Sequence, residues 1–139
     1  MRWLSLAIVA LLAGCSTGPD APPEIARVNG YVNTAHYVRD VGQTFVNPDK
    51  FMERGGDCED YAMTKYWFLK RGGQVAPENM ELVVLMYKGV LHAVLQVRDG
   101  RGGVWYLDNL RPFPMQPSWY SGPILYRFDW LDIETHTPK

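Results

Sequence analysis

The segment Gly55-Gly56-Asp57-Cys58-Glu59-Asp60-Tyr61-Ala62 constrains this chain more than any other. Two glycines followed by an aspartate predict a loop that enters the first turn of a helix, with Asp57 as its cap. Cys58 then stands at the helix N-terminus. That position lowers a thiol's pKa and points backbone N–H groups at any oxygen bound beside the sulfur. The helix is expected to run from Cys58 to about Lys70. Ala62, Tyr66 and Leu69 give it an apolar face, Lys70 and Arg71 suit its C-terminal dipole, and Gly72-Gly73 stop it.

The thiol is short of partners, because the chain holds only two cysteines, Cys15 and Cys58. After Arg2, residues Trp3 to Leu12 form a short, mostly apolar run, too brief to cross a bilayer but placed like the core of a signal peptide. It leads into Leu12-Ala13-Gly14-Cys15, which resembles the lipobox of bacterial lipoproteins. A signal peptide cut elsewhere, or an uncleaved anchor, is the alternative. On the lipoprotein reading, residues 1–14 are removed and Cys15 carries the lipid. Residues 15–24 then form a polar, proline-rich tether, and residues 25–139 form the domain. Ser16 does not look like an inner-membrane retention signal, so the outer membrane is favoured, on the periplasmic side. Free thiols in that oxidising compartment are normally paired. With Cys15 acylated, Cys58 has no partner within the chain. Its acidic, glycine-rich surroundings do not look like a core, so a thiol in use is expected.

From Cys15 onward 125 residues remain, enough for one domain with a single core. The formal net charge of −1 becomes −2 without Arg2, and there is no basic run or stripe. Nucleic acid is therefore excluded as a partner. A monomer is expected.

The first half of the domain has helical spacing. Val28, Tyr31, Val32, Ala35 and Val38 predict a helix over residues 25–41, ended by Gly42, with a short helix near residues 49–53. The second half changes period. Glu81–Tyr87 and Val90–Val97 read as strands joined by a Lys88-Gly89 turn. Val104–Leu107 reads as a third strand after a glycine-rich turn, and Ile124–Phe128 as the last. Residues 111–123 hold four prolines and read as a loop. The class is α+β, with helices packed on an antiparallel sheet.

A hairpin centred on Gly100 would set His92 directly opposite Asp108. Opposed side chains on one face have Cβ atoms about 5 Å apart, within reach of an imidazole–carboxylate hydrogen bond. A slip of one residue would break that pairing. Cys58, His92 and Asp108 then divide the work of a cysteine hydrolase or acyltransferase. The thiolate attacks, the imidazole moves the proton, and the carboxylate holds the ring. The N–H of Cys58 is one oxyanion donor, with Asn33 and Gln43 as candidates for a second. A zinc site lacks paired Cys or His spacing. His36 and His136 read as surface residues. Trp119, Tyr120 and Trp105 are candidates for a substrate groove; ordinary packing is an equal reading for Trp119 and Tyr120 and the favoured one for Trp105.

Asp57, Glu59 and Asp60 crowd the nucleophile. A carboxylate about 6 Å away, at an effective dielectric near 20, disfavours the thiolate by roughly 2–3 kcal/mol. A bound cation would offset this, and clustered carboxylates beside glycines suit Ca²⁺. From the residues alone the favoured reading is a simpler one, with Asp57 as a helix cap and Glu59 and Asp60 as favourable charges at the N-terminal dipole.

Gly56-Asp57-Cys58-Glu59-Asp60-Tyr61-Ala62 with Lys65-Tyr66, then His92-Ala93-Val94-Leu95, then Leu107-Asp108-Asn109-Leu110 resemble the bacterial transglutaminase-like cysteine proteinases. Val28-Asn29, Val32-Asn33, Tyr37 and Asp40 fit that family's leading helix, and the resemblance covers roughly residues 28–128. It implies a papain/transglutaminase-like core with Cys58, His92 and Asp108 as a catalytic triad. It also implies calcium bound by Asp57, Glu59 and Asp60. The expected function is cleavage of an exported or cell-surface protein, such as a biofilm adhesin, through a thioester. A transglutaminase-like acyltransferase, a cell-wall amidase and a catalytically silent lipoprotein binding module are the alternatives.

Overall fold

The computed structural model describes residues 20–39 and 45–137. Four helices and four strands follow one another as α1 (Pro23–Val32), α2 (Pro48–Arg54), α3 (Cys58–Arg71), β1 (Met80–Tyr87), β2 (Val90–Arg98), β3 (Val104–Leu107), β4 (Ile124–Phe128) and α4 (Trp130–His136). The strands form one antiparallel sheet in the order β3-β2-β1-β4. Among the described residues no helix is long and apolar enough to cross a membrane.

The core follows from strand alternation. Leu82 and Val84 of β1, Ala93, Leu95 and Val97 of β2, and Trp105 and Leu107 of β3 bury one sheet face against Ala62, Met63, Tyr66 and Leu69 of α3. Val83, Leu85, Val94 and Tyr106 form a second cluster on the opposite face. A third cluster, Val32, Ala35, Phe51 and Tyr61, ties α1 and α2 to α3.

The α3 helix begins at Cys58, with Asp57 as its N-cap, as its sequence dictates. The α1 helix differs from expectation. It stops at Val32, where Asn33 takes the C-cap, and Tyr37 pairs as an isolated bridge with Gly56. The apolar spacing beyond Val32 belongs to a turn rather than a helix, because Ala35 is buried by the chain folding back. The far end of that expected helix, Asp40 to Gly42, lies outside the described residues. A short helix not expected from sequence, α4, follows β4 and is capped by Asp129.

The β2–β3 hairpin also corrects the expected register. Its pairs are Leu95↔Leu107, Gln96↔Tyr106, Val97↔Trp105 and Arg98↔Val104, so the turn centres on Arg101 rather than Gly100. Asp99 explains the shift. Its Oδ1 accepts the N–H groups of Arg101 and Gly103, and its Oδ2 accepts Trp105 Nε1–H, which builds a five-residue loop with Gly102 at φ 86°. Moving the centre by one residue moves the register by two. A two-residue slip preserves which face each side chain takes. Asp108 therefore stays on the His92 face but lies diagonal to it.

Gly55 sets the entry to α3. It ends α2 at φ 70°, and a Cβ there would lie 2.2 Å from the carbonyl oxygen of His36. Gly55→Ala should lower unfolding stability by roughly 1–3 kcal/mol through strain and clash. Urea denaturation checks this, and an unchanged midpoint would contradict the close approach.

Candidate active site

The site forms where α3, β2 and the chain after β3 converge. Cys58 is the first residue of α3, half-buried and unpaired. The Asp57 cap uses the N–H groups of Glu59 and Asp60, not that of Cys58. The cap thus leaves the N–H of Cys58 unused, as one of the first-turn donors without a partner inside the helix.

His92 is buried on β2. Its Nε2 lies 2.8 Å from Asp108 Oδ1, and Cys58 stands near enough to raise the ring's affinity for a proton. With Nε2 committed to the carboxylate, Nδ1 is the ring nitrogen left for the thiol. The β3 ladder ends at Leu95↔Leu107, so the β2 edge is unpaired at His92, and there the helix tip meets the ring. Cys58, His92 and Asp108 are therefore brought together, although Asp108 reaches the ring diagonally from beyond the strand end.

Asp108 has no exposure to water. Oδ1 also accepts the N–H of Leu110 at 2.9 Å, and Oδ2 accepts Tyr120 O–H at 2.6 Å. Its backbone oxygen accepts Asn33 Nδ2–H at 2.9 Å, and the same Nδ2 reaches Arg111 O at 2.9 Å. Asn29 repeats this one turn earlier on α1, at 3.1 Å from Arg111 O and 3.3 Å from Pro112 O. Asn33 is thus engaged in holding the loop and does not offer an oxyanion donor. Gln43, the other candidate, lies outside the described residues, as does Cys15.

Sequence reasoning missed the role of Tyr120. Its proline-rich loop suggests a groove residue, yet it is half-buried, with its ring against Tyr87 and Tyr106. The Tyr87 ring in turn lies 5.7 Å from that of His92. Trp105 is buried with its indole N–H on Asp99, so it is packing and not groove. Trp119 is 70% exposed, and His36 and His136 are exposed as expected.

The carboxylates around Cys58 have local work. Asp57 Oδ1 accepts the N–H of Glu59 at 3.2 Å and of Asp60 at 3.5 Å, while Asp60 Oδ2 accepts that of Asp57 at 3.1 Å. This is a reciprocal capping box. Asp60 Oδ1 accepts the N–H of Val46 at 2.7 Å. Burial pushes Asp60 up to about 6, against those two N–H groups. The three acids fit a hard cation in kind but not in number. Among the described residues no group of three or more His, Cys, Asp or Glu side chains is placed to hold an ion, and calcium takes six to eight oxygens. No chemical step is assigned to an ion.

Burial works against charge on His92, but hydrogen bonds to Asp108 and Cys58 and their charges outweigh it and raise the ring to about 9. Burial likewise works against charge on Asp108, and the bonds from His92, Tyr120 and Leu110 still hold it below the usual carboxylate range. Stability from a raised histidine is full below its unfolded value near 6.5 and is lost as pH rises through the folded value. The melting-temperature gap between wild type and His92→Ala should thus be widest below about pH 6.5 and should close as pH passes about 9. Thermal melts from pH 6 to 10 check this, and a gap that widens with pH would contradict it.

A family model, the bacterial transglutaminase-like cysteine proteinases, matches residues 13–127. Among solved structures, Legionella pneumophila LapG matches with a TM-score of 0.67 and 24% identity, over 76% of this chain and 64% of that one. Its calcium-bound form gives 0.68 at the same identity and coverage. Its EGTA-treated form gives 0.67 at 24% identity, over 76% of this chain and 62% of that one. The chain spans less than two thirds of LapG's length, and at this identity the likeness speaks for the α+β fold. No curated protein sequence matches. The family match covers most of the chain, and the chain belongs to the bacterial transglutaminase-like cysteine proteinases.

Proposed function

We propose that the chain is a cysteine peptidase that cleaves an exported or cell-surface protein, with Cys58, His92 and Asp108 as its catalytic residues. The observation that supports this most is the 2.8 Å contact between His92 Nε2 and Asp108 Oδ1, with Cys58 near enough to the same ring to raise its affinity for a proton. The Cys58 sulfur attacks the scissile carbonyl carbon, and the thiol proton resides on His92. The oxyanion that develops takes the N–H of Cys58. His92 gives its proton to the departing amine, leaving a thioester on Cys58. His92 then takes a proton from water, whose oxygen attacks the thioester carbon; the C–S bond breaks, the acid product leaves, and Cys58 departs as thiolate beside the protonated His92, as at the start. Asp108 keeps the ring turned and stabilises the imidazolium between these steps. Family membership favours hydrolysis of a protein over the acyltransferase, amidase and silent-module readings.

The location is part of the same proposal. Residues 1–14 act as a lipoprotein signal peptide and Cys15 carries a lipid on the periplasmic side, most consistent with the outer membrane. A surface adhesin is the substrate class to test first. Calcium is also proposed, through Asp57, Glu59 and Asp60. It rests on the calcium-bound form of LapG, and the three acids at the helix tip would supply only part of the ligand set.

Cys58→Ala should fold like wild type yet abolish both shedding of surface proteins and labelling by thiol-directed probes, a loss of at least about 10³-fold. Proteomics of shed proteins from cells with either form checks it. Full activity in the variant removes the nucleophile assignment. Calcium added to EGTA-treated protein should raise its melting temperature, and identical melts in both conditions would remove the metal from the proposal.

A further inference from the structure

Phe113 and Trp119 each stand 70% exposed on the proline-rich loop, more than any other aromatic side chain among the described residues. The proposed chemistry uses neither. The backbone that carries them is held in place. Met115, between them, exchanges both backbone hydrogen bonds with Tyr106 of β3, at 2.7 and 2.9 Å. The carbonyl of Pro112 accepts Asn29 Nδ2–H at 3.3 Å, and Tyr120 O–H bonds to Asp108 Oδ2 at 2.6 Å. The two rings line one cleft with Pro114 and with Trp105 of β3. An apolar cluster kept in water on a held backbone marks a contact surface.

The chain enters the domain at the same place. Asp20 and Ala21, the first of the described residues, line that cleft beside the two aromatics. Cys15 lies five positions before Asp20. Five residues span at most about 18 Å, whatever path the chain takes. A lipid on Cys15 would therefore keep this cleft within that distance of the bilayer surface. Exposed apolar side chains also gather on β4 and α4, with Leu125, Tyr126, Phe128 and Leu131 among them. That strand is the opposite edge of the sheet from β3. The tether thus brings the β3 edge to the membrane, not the β4 edge.

We propose that Phe113 and Trp119 form a docking patch that enters the interfacial layer of the phospholipid bilayer in which Cys15 is anchored. This rests on the lipidation proposed above. Tryptophan favours that layer, where its ring meets lipid tails while its N–H stays among water and headgroups. The lipid already holds the protein, and the tether makes the second contact intramolecular, so the patch works with little affinity of its own. Its contribution is orientation. A single tether leaves the domain free to turn, whereas a second contact fixes the face that meets the membrane. Tyr120 ties the same loop to Asp108, so docking also orients the candidate active site relative to the bilayer.

The test is tryptophan fluorescence of the lipidated chain in vesicles of phosphatidylethanolamine and phosphatidylglycerol, with and without dibrominated phosphatidylcholine. Bromines on the lipid tails quench only rings that reach them. Wild type should be quenched. Trp119→Phe should lose more than about half of that quenching, while Trp130→Phe, beside β4, should keep nearly all of it. Vesicle-bound wild type that shows no quenching overturns the proposal and leaves the aromatics to another partner, such as a protein substrate. A loss that follows Trp130 instead of Trp119 overturns it too. An intact mass without acyl chains on Cys15 overturns the lipidation reading itself and the docking with it, which distinguishes the two failures.

Discussion

A carboxylate with no access to water must be satisfied by the protein, and the satisfaction of Asp108 organises this molecule. A charge so placed is tolerable only when nearly every lone pair has a donor. The side chain draws on His92 from β2, on the N–H of Leu110 just downstream and on Tyr120 from the proline-rich loop. The backbone oxygen draws on Asn33 from α1. Three more distant stretches of chain are thereby fixed around one residue. The proline-rich loop, which has little regular structure, is pinned at Tyr120 and again by the Tyr106–Met115 backbone pair.

The nucleophile's side of the site is built by a different device. Gly55, in the left-handed region, lets the chain pass close to the carbonyl of His36, and Asp57 and Asp60 then close a capping box. Two carboxylates that crowd the sulfur are thus held by backbone N–H groups, which limits how far they can move toward it. The α3 helix is anchored along its length by Tyr66 and Leu69 in the main core, so its tip is presented rigidly to the sheet. A rigid tip and a rigid ring are what a short-range proton transfer needs.

Local chemistry was legible in the sequence where one residue decides the outcome. Asp57 as a cap, the Lys88-Gly89 turn and the limits of β3 and β4 follow from residue type alone. The chain was harder to read where a side chain outside the local window decides. Apolar spacing past Val32 suggested more helix, yet Asn33 leaves the helix to hold the Asp108 loop. The glycine-rich turn suggested a centre at Gly100, yet the carboxylate of Asp99 builds a longer loop centred on Arg101. The pairing of His92 with Asp108 was nonetheless expected, because the displaced register kept the same face. Nothing local marks Tyr120 as a partner of Asp108, since a tyrosine in a proline-rich loop is as readily exposed as buried. The α4 helix carries a capping signal in Asp129, but its seven residues are too short a stretch to stand out by period.

The most direct measurement is a crystal structure of the protein after reaction with a peptidyl chloromethyl ketone. The account predicts a single covalent bond at the Cys58 sulfur. The inhibitor's oxygen should lie within hydrogen-bonding distance of the Cys58 N–H, and His92 should bridge the sulfur side and Asp108. An adduct elsewhere, or a ring of His92 turned away from Asp108 with Cys58 unmodified, would contradict it.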